Sequence, residues 1–278
     1  MGKGAEGRSN SRLPESLQWL WRGTFSKRSL RRAWSTYIEN QNMKVRIKFR
    51  KYGLMKYIGH LDLMRYFQKA IRRAGIDIRY TEGFHPHMIM SFASPLGVGM
   101  QSEGEYFDIE VNSLPPKEDV VVKLNEQMAE GIDVTSCVIL KEKARKSMSL
   151  VEFARYRYLY KEDAKAHPSI ETLNEAIKRF YAEAESIIVT KKTKKSERQL
   201  DLKPLIYDFC IINEDGQYGF EFLLSAGSTD NIKPELVLTA FYSYLGLSFD
   251  PLDFDRWRID VYAKGEDGSP VELNRITN

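Results

Sequence analysis

The sequence predicts an α+β protein built from two tandem ferredoxin-like (βαββαβ) units. Three observations carry this. Some stretches alternate apolar and polar residues with the period of a half-buried strand. The stretches between them place apolar residues at helical spacing. The order strand, helix, strand, strand, helix, strand then occurs twice. The composition is that of a globular chain: of 278 residues, 42% are hydrophobic and 29% charged, with 10 Pro and 18 Gly. No apolar run approaches the ~20 residues of a membrane span. The cysteines, Cys137 and Cys210, supply neither a disulfide framework nor three thiolates for an iron–sulfur cluster. A reducing, cytoplasmic setting is therefore expected.

Residues 1–42 stand apart. They hold Trp19, Trp21 and Trp34, and are rich in Arg and Ser without a strand pattern. They read as a disordered or mis-called extension, with a transit-peptide-like or membrane-surface segment as the alternative. The first unit is expected over 43–145. Met43 to Arg50 alternates, with Val45, Ile47 and Phe49 on one face and Lys44, Arg46, Lys48 and Arg50 on the other, which predicts a strand with a cationic outer face. Met64, Phe67, Ile71 and Ala74 form a buried helical stripe over His60 to Ala74, and Gly75 stops it. Ile76 to Tyr80 and Glu105 to Val111 read as strands. A second helix follows Pro115 and Pro116 as far as about Glu130, and Ile132 to Leu140 closes the unit. The second unit is expected over 146–264: strand Phe153 to Tyr160, a helix from Pro168 through Ala184, extended Ser186 to Thr190 and Pro204 to Ile212, a hairpin partner Tyr218 to Ser225, helix Pro234 to Leu245, and strand Arg256 to Ala263. Residues 265–278 read as a C-terminal tail. A single larger α+β sheet is the alternative architecture.

The net charge of +4 conceals a strong alternation. Residues 43–81 sum to +9, 82–139 to −8, 140–200 to +6, and 201–278 to −8. Both basic blocks open their unit. Arg65, Lys69, Arg72 and Arg73 lie opposite the apolar stripe of the first helix and are expected to line up with Arg46, Lys48 and Lys51. Lys191, Lys192, Lys194, Lys195 and Arg198 crowd one hairpin-like loop. Tyr52, Tyr57, Tyr66, Tyr80, Tyr156, Tyr158 and Tyr160 are interleaved. Cations tracking phosphates beside aromatic rings that stack bases suit single-stranded or looped RNA. A solvated face, or pairing between the basic block of one unit and the acidic block of the other, is the plainer reading of the same charges.

Candidate chemistry centres on His60, His85 and His87. His60 opens the first helix, where the dipole keeps an imidazole neutral and suited to a base or ligand role. His85 and His87 flank Pro86, and Asp62, Glu82, Glu103 or Glu105 can complete a site. The candidate catalytic set is His60, His87 and Glu103; the candidate ligands for a divalent metal are His60, His85 and His87. Ser91 to Glu105, with Gly97, Gly99 and Gly104, reads as a phosphate cradle or a flexible connector. There is no Ser-His-Asp order, HExxH or P-loop.

Taken together, Gly59-His60-Leu61-Asp62-Leu63-Met64-Arg65, Arg72-Arg73-Ala74-Gly75, Gly83-Phe84-His85-Pro86-His87, Ser91-Phe92-Ala93, Pro95-Leu96-Gly97-Val98-Gly99, Ser102-Glu103-Gly104-Glu105-Tyr106 and Asp201-Leu202-Lys203-Pro204-Leu205 resemble the radical SAM-linked proteins. These are bacterial domains of unknown function found beside or fused to a radical SAM enzyme. The resemblance covers roughly 43–260. Position 85 is His where the family usually has Asn, which leaves His60 and His87 as the stronger pair. The resemblance implies a radical SAM enzyme encoded nearby as partner, work on RNA (tRNA or rRNA) or the ribosome, and no cofactor bound by this chain alone. The layout is also similar to the tandem ferredoxin-like endoribonucleases that process CRISPR repeats, although Leu245 to Asp255 lacks their glycine-rich loop. The expected function is that of a non-catalytic RNA-binding accessory factor for the radical SAM enzyme. An RNA-processing enzyme using His60 and His87, and a protein-docking module for the radical SAM partner, are the alternatives.

Overall fold

Alternation and helical spacing set the elements in a computed structural model that describes residues 43–164, 167–192, 197–214, 216–228 and 230–278. The segment 1–42, Lys194 and Lys195 lie outside the described residues, and of Lys191, Lys192 and Arg198 only the backbone is described. Strand β1 is Met43–Lys51. Helix α1, His60–Arg73, buries Leu63, Phe67, Ala70 and Ile71, and ends before Gly75, whose φ of 65° stops it. Then come β2 (Met90–Phe92), β3 (Gln101–Val111), α2 (Lys117–Asn125) and β4 (Ile132–Leu140). The second half runs β5 (Phe153–Tyr160), α3 (Ile170–Ile177), the hairpin β6 (Ile188–Lys192) and β7 (Glu197–Asp201), β8 (Ile206–Glu214), β9 (Gln217–Ser225), α4 (Pro234–Tyr244), β10 (Phe254–Lys264) and β11 (Pro270–Glu272).

Among the described residues one nine-stranded sheet takes every strand except the β6–β7 hairpin, along the path β4-β1-β3-β10-β5-β9-β8, with β2 on β3 and β11 on β10. Neighbours are antiparallel except β3 and β10, which run parallel and share only Trp257↔Gln101 and Arg258↔Ser102. The fold is thus α+β with a large mixed sheet and, among the described residues, four α-helices. The sheet passes without a break across the expected boundary between residues 145 and 146. Two apolar clusters sit beneath the helices. Val45, Ile47, Phe49, Phe67 and Phe107 make one, with Phe49 and Phe67 ring centroids 4.7 Å apart. Tyr158, Leu173, Phe209, Phe222 and Phe241 belong to the other. All four helices lie on one face. Glu105 shares that face with Phe107 and Ile109 and is reached by Arg258; Arg258 pairs with Tyr156, whose row continues to Tyr158 beneath Glu235 of α4.

Three expectations fail here for identifiable reasons. The cationic face of β1 is not an outer face. Strand β1 is central, and Arg46 is fully buried. Its guanidinium spends every donor internally: on Asp108 at 2.8 and 3.2 Å, on the Leu273 and Ile276 carbonyls at 2.6 and 3.0 Å, and on the Arg145 carbonyl at 3.2 Å. Lys48 is paired with Asp260 at 2.6 Å. Because side chains alternate across a strand, Arg46 and Lys48 lie on the opposite sheet face from Val45 and Ile47, against which α1 packs. The cations of α1 therefore cannot line up with them. Residues 265–278 are not a loose tail: β11 pairs with β10, Leu273 is fully buried, and the Lys141 N–H donates to the Thr277 carbonyl. Ile76 to Tyr80 makes only the isolated bridges Ile78↔Val111 and Tyr80↔Met88. The free edge of β3 is divided between β2 at Phe107–Ile109 and β10 at Gln101–Ser102, which leaves no continuous ladder for it.

At the junction of β3 and β10, ions are buried on both faces. On the helix side Arg258 donates to Glu105 through Nε at 2.7 Å and again through Nη2, and caps the Ser94 and Pro95 carbonyls. Ser102 donates to the same carboxylate at 2.7 Å. On the other side Asp260 holds Lys48, the Tyr106 hydroxyl and its own neighbour's N–H. Burial pushes the Asp260 carboxyl above the usual carboxylate range, against the pull of Lys48. A Cβ on Gly104 would meet that carboxylate at 2.6 Å. Arg258→Met is expected to cost about 3–5 kcal/mol by stranding Glu105, and Arg258→Met with Glu105→Leu much less, both read by urea unfolding. Gly104→Ala is expected to cost about 1–3 kcal/mol in the same assay through overpacking against Asp260. An unchanged midpoint would show that the carboxylate moves aside freely.

Candidate functional site

The fully buried cations Arg46, Lys51 and Arg258 are committed within the fold, so a site for an external ligand has to use others. Lys51 donates to the Ile58 carbonyl at 2.8 Å, and burial lowers the pKa of its ammonium. On the same sheet face as Arg46, Arg155 and Arg157 hold Glu221 at 2.7 and 3.0 Å, and Arg157 also takes Glu214. The exception lies at the amino-terminal end of β1. There a cavity of about 230 Å³ opens on the face away from α1. Its walls come from four places: Lys44 of β1; Ser91 and Asp108, paired across β2 and β3; the turn carrying Thr81, His87 and Met88; and the segment after β4 that carries Ala144, Arg145 and Lys146.

The chemistry of this cavity is mixed. Leu140 and Ala144 are buried apolar walls and Ile89 is a half-buried one, whereas the side chains of Met88 and Ile109 belong to the cluster under α1. The Ser91 hydroxyl lines it and, although shielded from solvent, has no hydrogen-bond partner among the described residues. The Ser147 hydroxyl is likewise unpaired, and the Ser147 N–H donates to Asp108 at 2.6 Å. His87 is exposed, and its Nδ1 lies 3.0 Å from the Thr81 hydroxyl. At the rim, Lys44 donates to the Glu142 carbonyl at 2.8 Å. Among the described residues no carboxylate stands within ion-pair distance of Lys44, Arg145 or Lys146. Lys141, Lys143, Arg145 and Lys146 are all exposed. Two carboxylates also line it, Asp108 held by Arg46 and Glu110 paired with Arg79 at 3.5 Å, so an anion can be met only at the rim and a small, partly polar body within.

The candidates taken from the sequence are dispersed. His60 opens α1 half-buried, its ring edge-on to Phe92 at 5.2 Å. His85 is exposed in the turn before His87, to which only its carbonyl is turned. Glu103 is exposed and lines a separate groove with Arg157 and Trp257, while Glu105 is locked to Arg258. Asp62 and Glu82 pair with Arg65 and Arg79. Among the described residues no group of three or more His, Cys, Asp or Glu is placed to hold a metal ion. Arg65, Lys69, Arg72 and Arg73 are exposed on α1, with Arg65 turned to Asp62 and Arg73 bonded to Gln127. Tyr156, Tyr158 and Tyr160 are buried core residues; Tyr57 and Tyr80 are exposed, and the Tyr66 hydroxyl accepts the Ala129 N–H. No described helix is long and apolar enough to cross a membrane. The cavity itself was missed in the sequence. Its signal was the run Lys141-Glu142-Lys143-Ala144-Arg145-Lys146 directly after a strand, which becomes a rim only because β4 lies beside β1.

No curated protein matches the sequence. Among solved structures, the chain is similar to a chain in the crystal structure of a Cbf5-Nop10-Gar1 complex, at 11% identity and a TM-score of 0.46, over 80% of this chain and 50% of that one. It therefore spans half the length of that relative. It is also similar to DyPB from Rhodococcus jostii RHA1, at 11% identity and a TM-score of 0.20 over 79% of this chain and 90% of that one. For a dye-decolorizing protein from V. cholerae the values are 8%, 0.19, 81% and 94%. Likenesses this slight carry neither fold nor function across. The model of a bacterial family described as uncharacterized and conserved, DUF2344, matches residues 44–234, and the chain belongs to that family.

Proposed function

We propose that the chain is an RNA-binding accessory factor made of two ferredoxin-like modules fused edge to edge, and that it serves a radical SAM enzyme acting on RNA or the ribosome. The observation that carries RNA binding is the contrast between its cations. Arg46, Lys48 and Arg258 within the sheet are each answered by a buried carboxylate, whereas Lys44, whose ammonium donates to the Glu142 carbonyl, and the exposed Arg145 and Lys146 rim a cavity without a carboxylate in ion-pair contact among the described residues. Cations clustered on one rim and not held by a carboxylate are what a phosphate backbone requires. Lys69 and Arg72 on α1 offer a second patch on the opposite sheet face. The modular reading is supported by strand order: β4-β1-β3 continues to β2, and β10-β5-β9-β8 repeats the same order in the second half. The enzyme partner rests on the resemblance of the sequence motifs to the radical SAM-linked proteins.

A second reading, docking of the radical SAM enzyme, has its own observation. Leu54, Tyr57 and Leu61 are 85%, 61% and 62% exposed, and the Gly99 N–H bonded to the Lys56 carbonyl brings the loop of exposed Val98 against them. Exposed apolar groups in one place suit a protein partner. Nothing in the geometry favours the ribonuclease reading, since His60 and His87 have different surroundings.

Filter binding of single-stranded RNA across a salt series is expected to give a steep slope. Arg145→Ala with Lys146→Ala is expected to reduce that slope by roughly 1.4, because two phosphates are then left without a cation. No binding to tRNA or rRNA fragments at low salt would reject the reading. Leu61→Glu is expected to abolish nuclease-resistant co-purification with the radical SAM enzyme encoded nearby while leaving RNA affinity unchanged; retention of the enzyme by the variant would remove the docking role.

A further inference from the structure

The cavity beside β2 asks for more than an anion. An inorganic anion would be served by Lys44, Arg145 and Lys146 alone and would make no use of the apolar walls of Ile89, Leu140 and Ala144. An apolar ligand would leave Arg145 and Lys146 without a counter-charge and the shielded Ser91 hydroxyl still unpaired. A shielded hydroxyl without a partner is costly, and a ligand that supplies one recovers that cost. The occupant that satisfies all three features has a flat, largely apolar body, hydrogen-bonding atoms on its edge, and a negative charge attached outside.

We propose that the cavity holds one nucleotide unit: a nucleobase within the hollow, its edge on the Ser91 hydroxyl, and its phosphate on Lys44, Arg145 and Lys146. The proposal rests on the RNA-binding reading and names the part of the RNA that is recognised, an unstacked base rather than a duplex. Side chains read such bases on single strands, loops and bulges, where the base is free to leave the stack. His87 and Thr81 stand at the mouth, where a ribose would lie. A free mononucleotide presents the same chemistry and is the other source of the ligand.

The test uses the full chain and three probes: a single-stranded RNA hexamer, the same hexamer with abasic sites, and the four ribonucleoside monophosphates. Abasic sites keep every phosphate and remove the bases. The intact hexamer is expected to bind about 10- to 100-fold more tightly than the abasic one. Equal affinities would overturn base capture and leave backbone-driven RNA binding standing. Saturable monophosphate binding with no hexamer binding would uphold the cavity with free nucleotide as its source and remove the RNA reading. Failure of all three probes at low salt would overturn both. Ser91→Leu, which fills the hollow and removes the hydroxyl, is expected to abolish the difference between intact and abasic hexamers while its circular dichroism matches the parent. If that variant fails to fold, Ser91→Ala removes the hydroxyl alone and is expected to narrow the difference; a full difference in a folded Ser91→Leu protein would place the base elsewhere.

Discussion

Buried cations must be answered by buried anions, and that requirement organises this protein. Two halves of a sheet meet along β3 and β10, where only two residue pairs are in register. Backbone hydrogen bonds alone would make a weak joint. Arg258 on Glu105 clamps the helix side, and Lys48 on Asp260 clamps the other. Each pair joins a residue of the first half to one of the second. An ion pair taken out of water gains little net stability over apolar packing, but breaking one partner away is expensive. The pairs therefore act as registry devices. They allow one relative placement of the halves and penalise the rest.

The same requirement explains what the glycine-containing stretch 94–104 does in place of a phosphate cradle. Ser94 and Pro95 present their carbonyls to Arg258, Ser102 orients Glu105, and Gly104 leaves room for Asp260. A glycine-rich stretch that sequence reading assigns to a ligand is here occupied by the chain itself. Gly99 takes a positive φ of 81° and ties its loop to Lys56. These residues are spent on joining the halves.

How much of this was legible depends on what alternation can say. The pattern of Val45, Ile47 and Phe49 against Lys44, Arg46 and Lys48 gave the strand and its two faces. It could not say which face meets water. Arg46 is buried because Asp108, Leu273 and Ile276 come to it from positions 62, 227 and 230 residues away. No local pattern carries that information. The helices were legible because a stripe such as Leu63, Phe67 and Ile71 needs only its own spacing. The strand expected at Ile76 to Tyr80 is reduced to isolated bridges because pairing depends on what else claims the edge of β3. Of the candidate site residues, His87 was reached by its motif and now stands in the cavity wall, while His60 and Glu103 have other surroundings.

The charge alternation along the sequence has one origin and two consequences. Basic and acidic blocks are complementary because the strands that carry them become neighbours: Arg46 faces Asp108 across β1 and β3, and Arg155 and Arg157 face Glu221 across β5 and β9. The charge of the central strands is thereby consumed in assembly, which is why block sums overstate the surface available to nucleic acid. What remains is informative because it is left over. Lys44 is on a strand whose Arg46 and Lys48 are matched, and Arg145 and Lys146 follow β4 in a segment whose Arg145 backbone carbonyl is used on Arg46 while its side chain is not. A fold that answers its interior cations with buried carboxylates sets Lys44, Arg145 and Lys146 apart, since among the described residues these three stand around a hollow with an unpaired hydroxyl and no carboxylate in ion-pair contact.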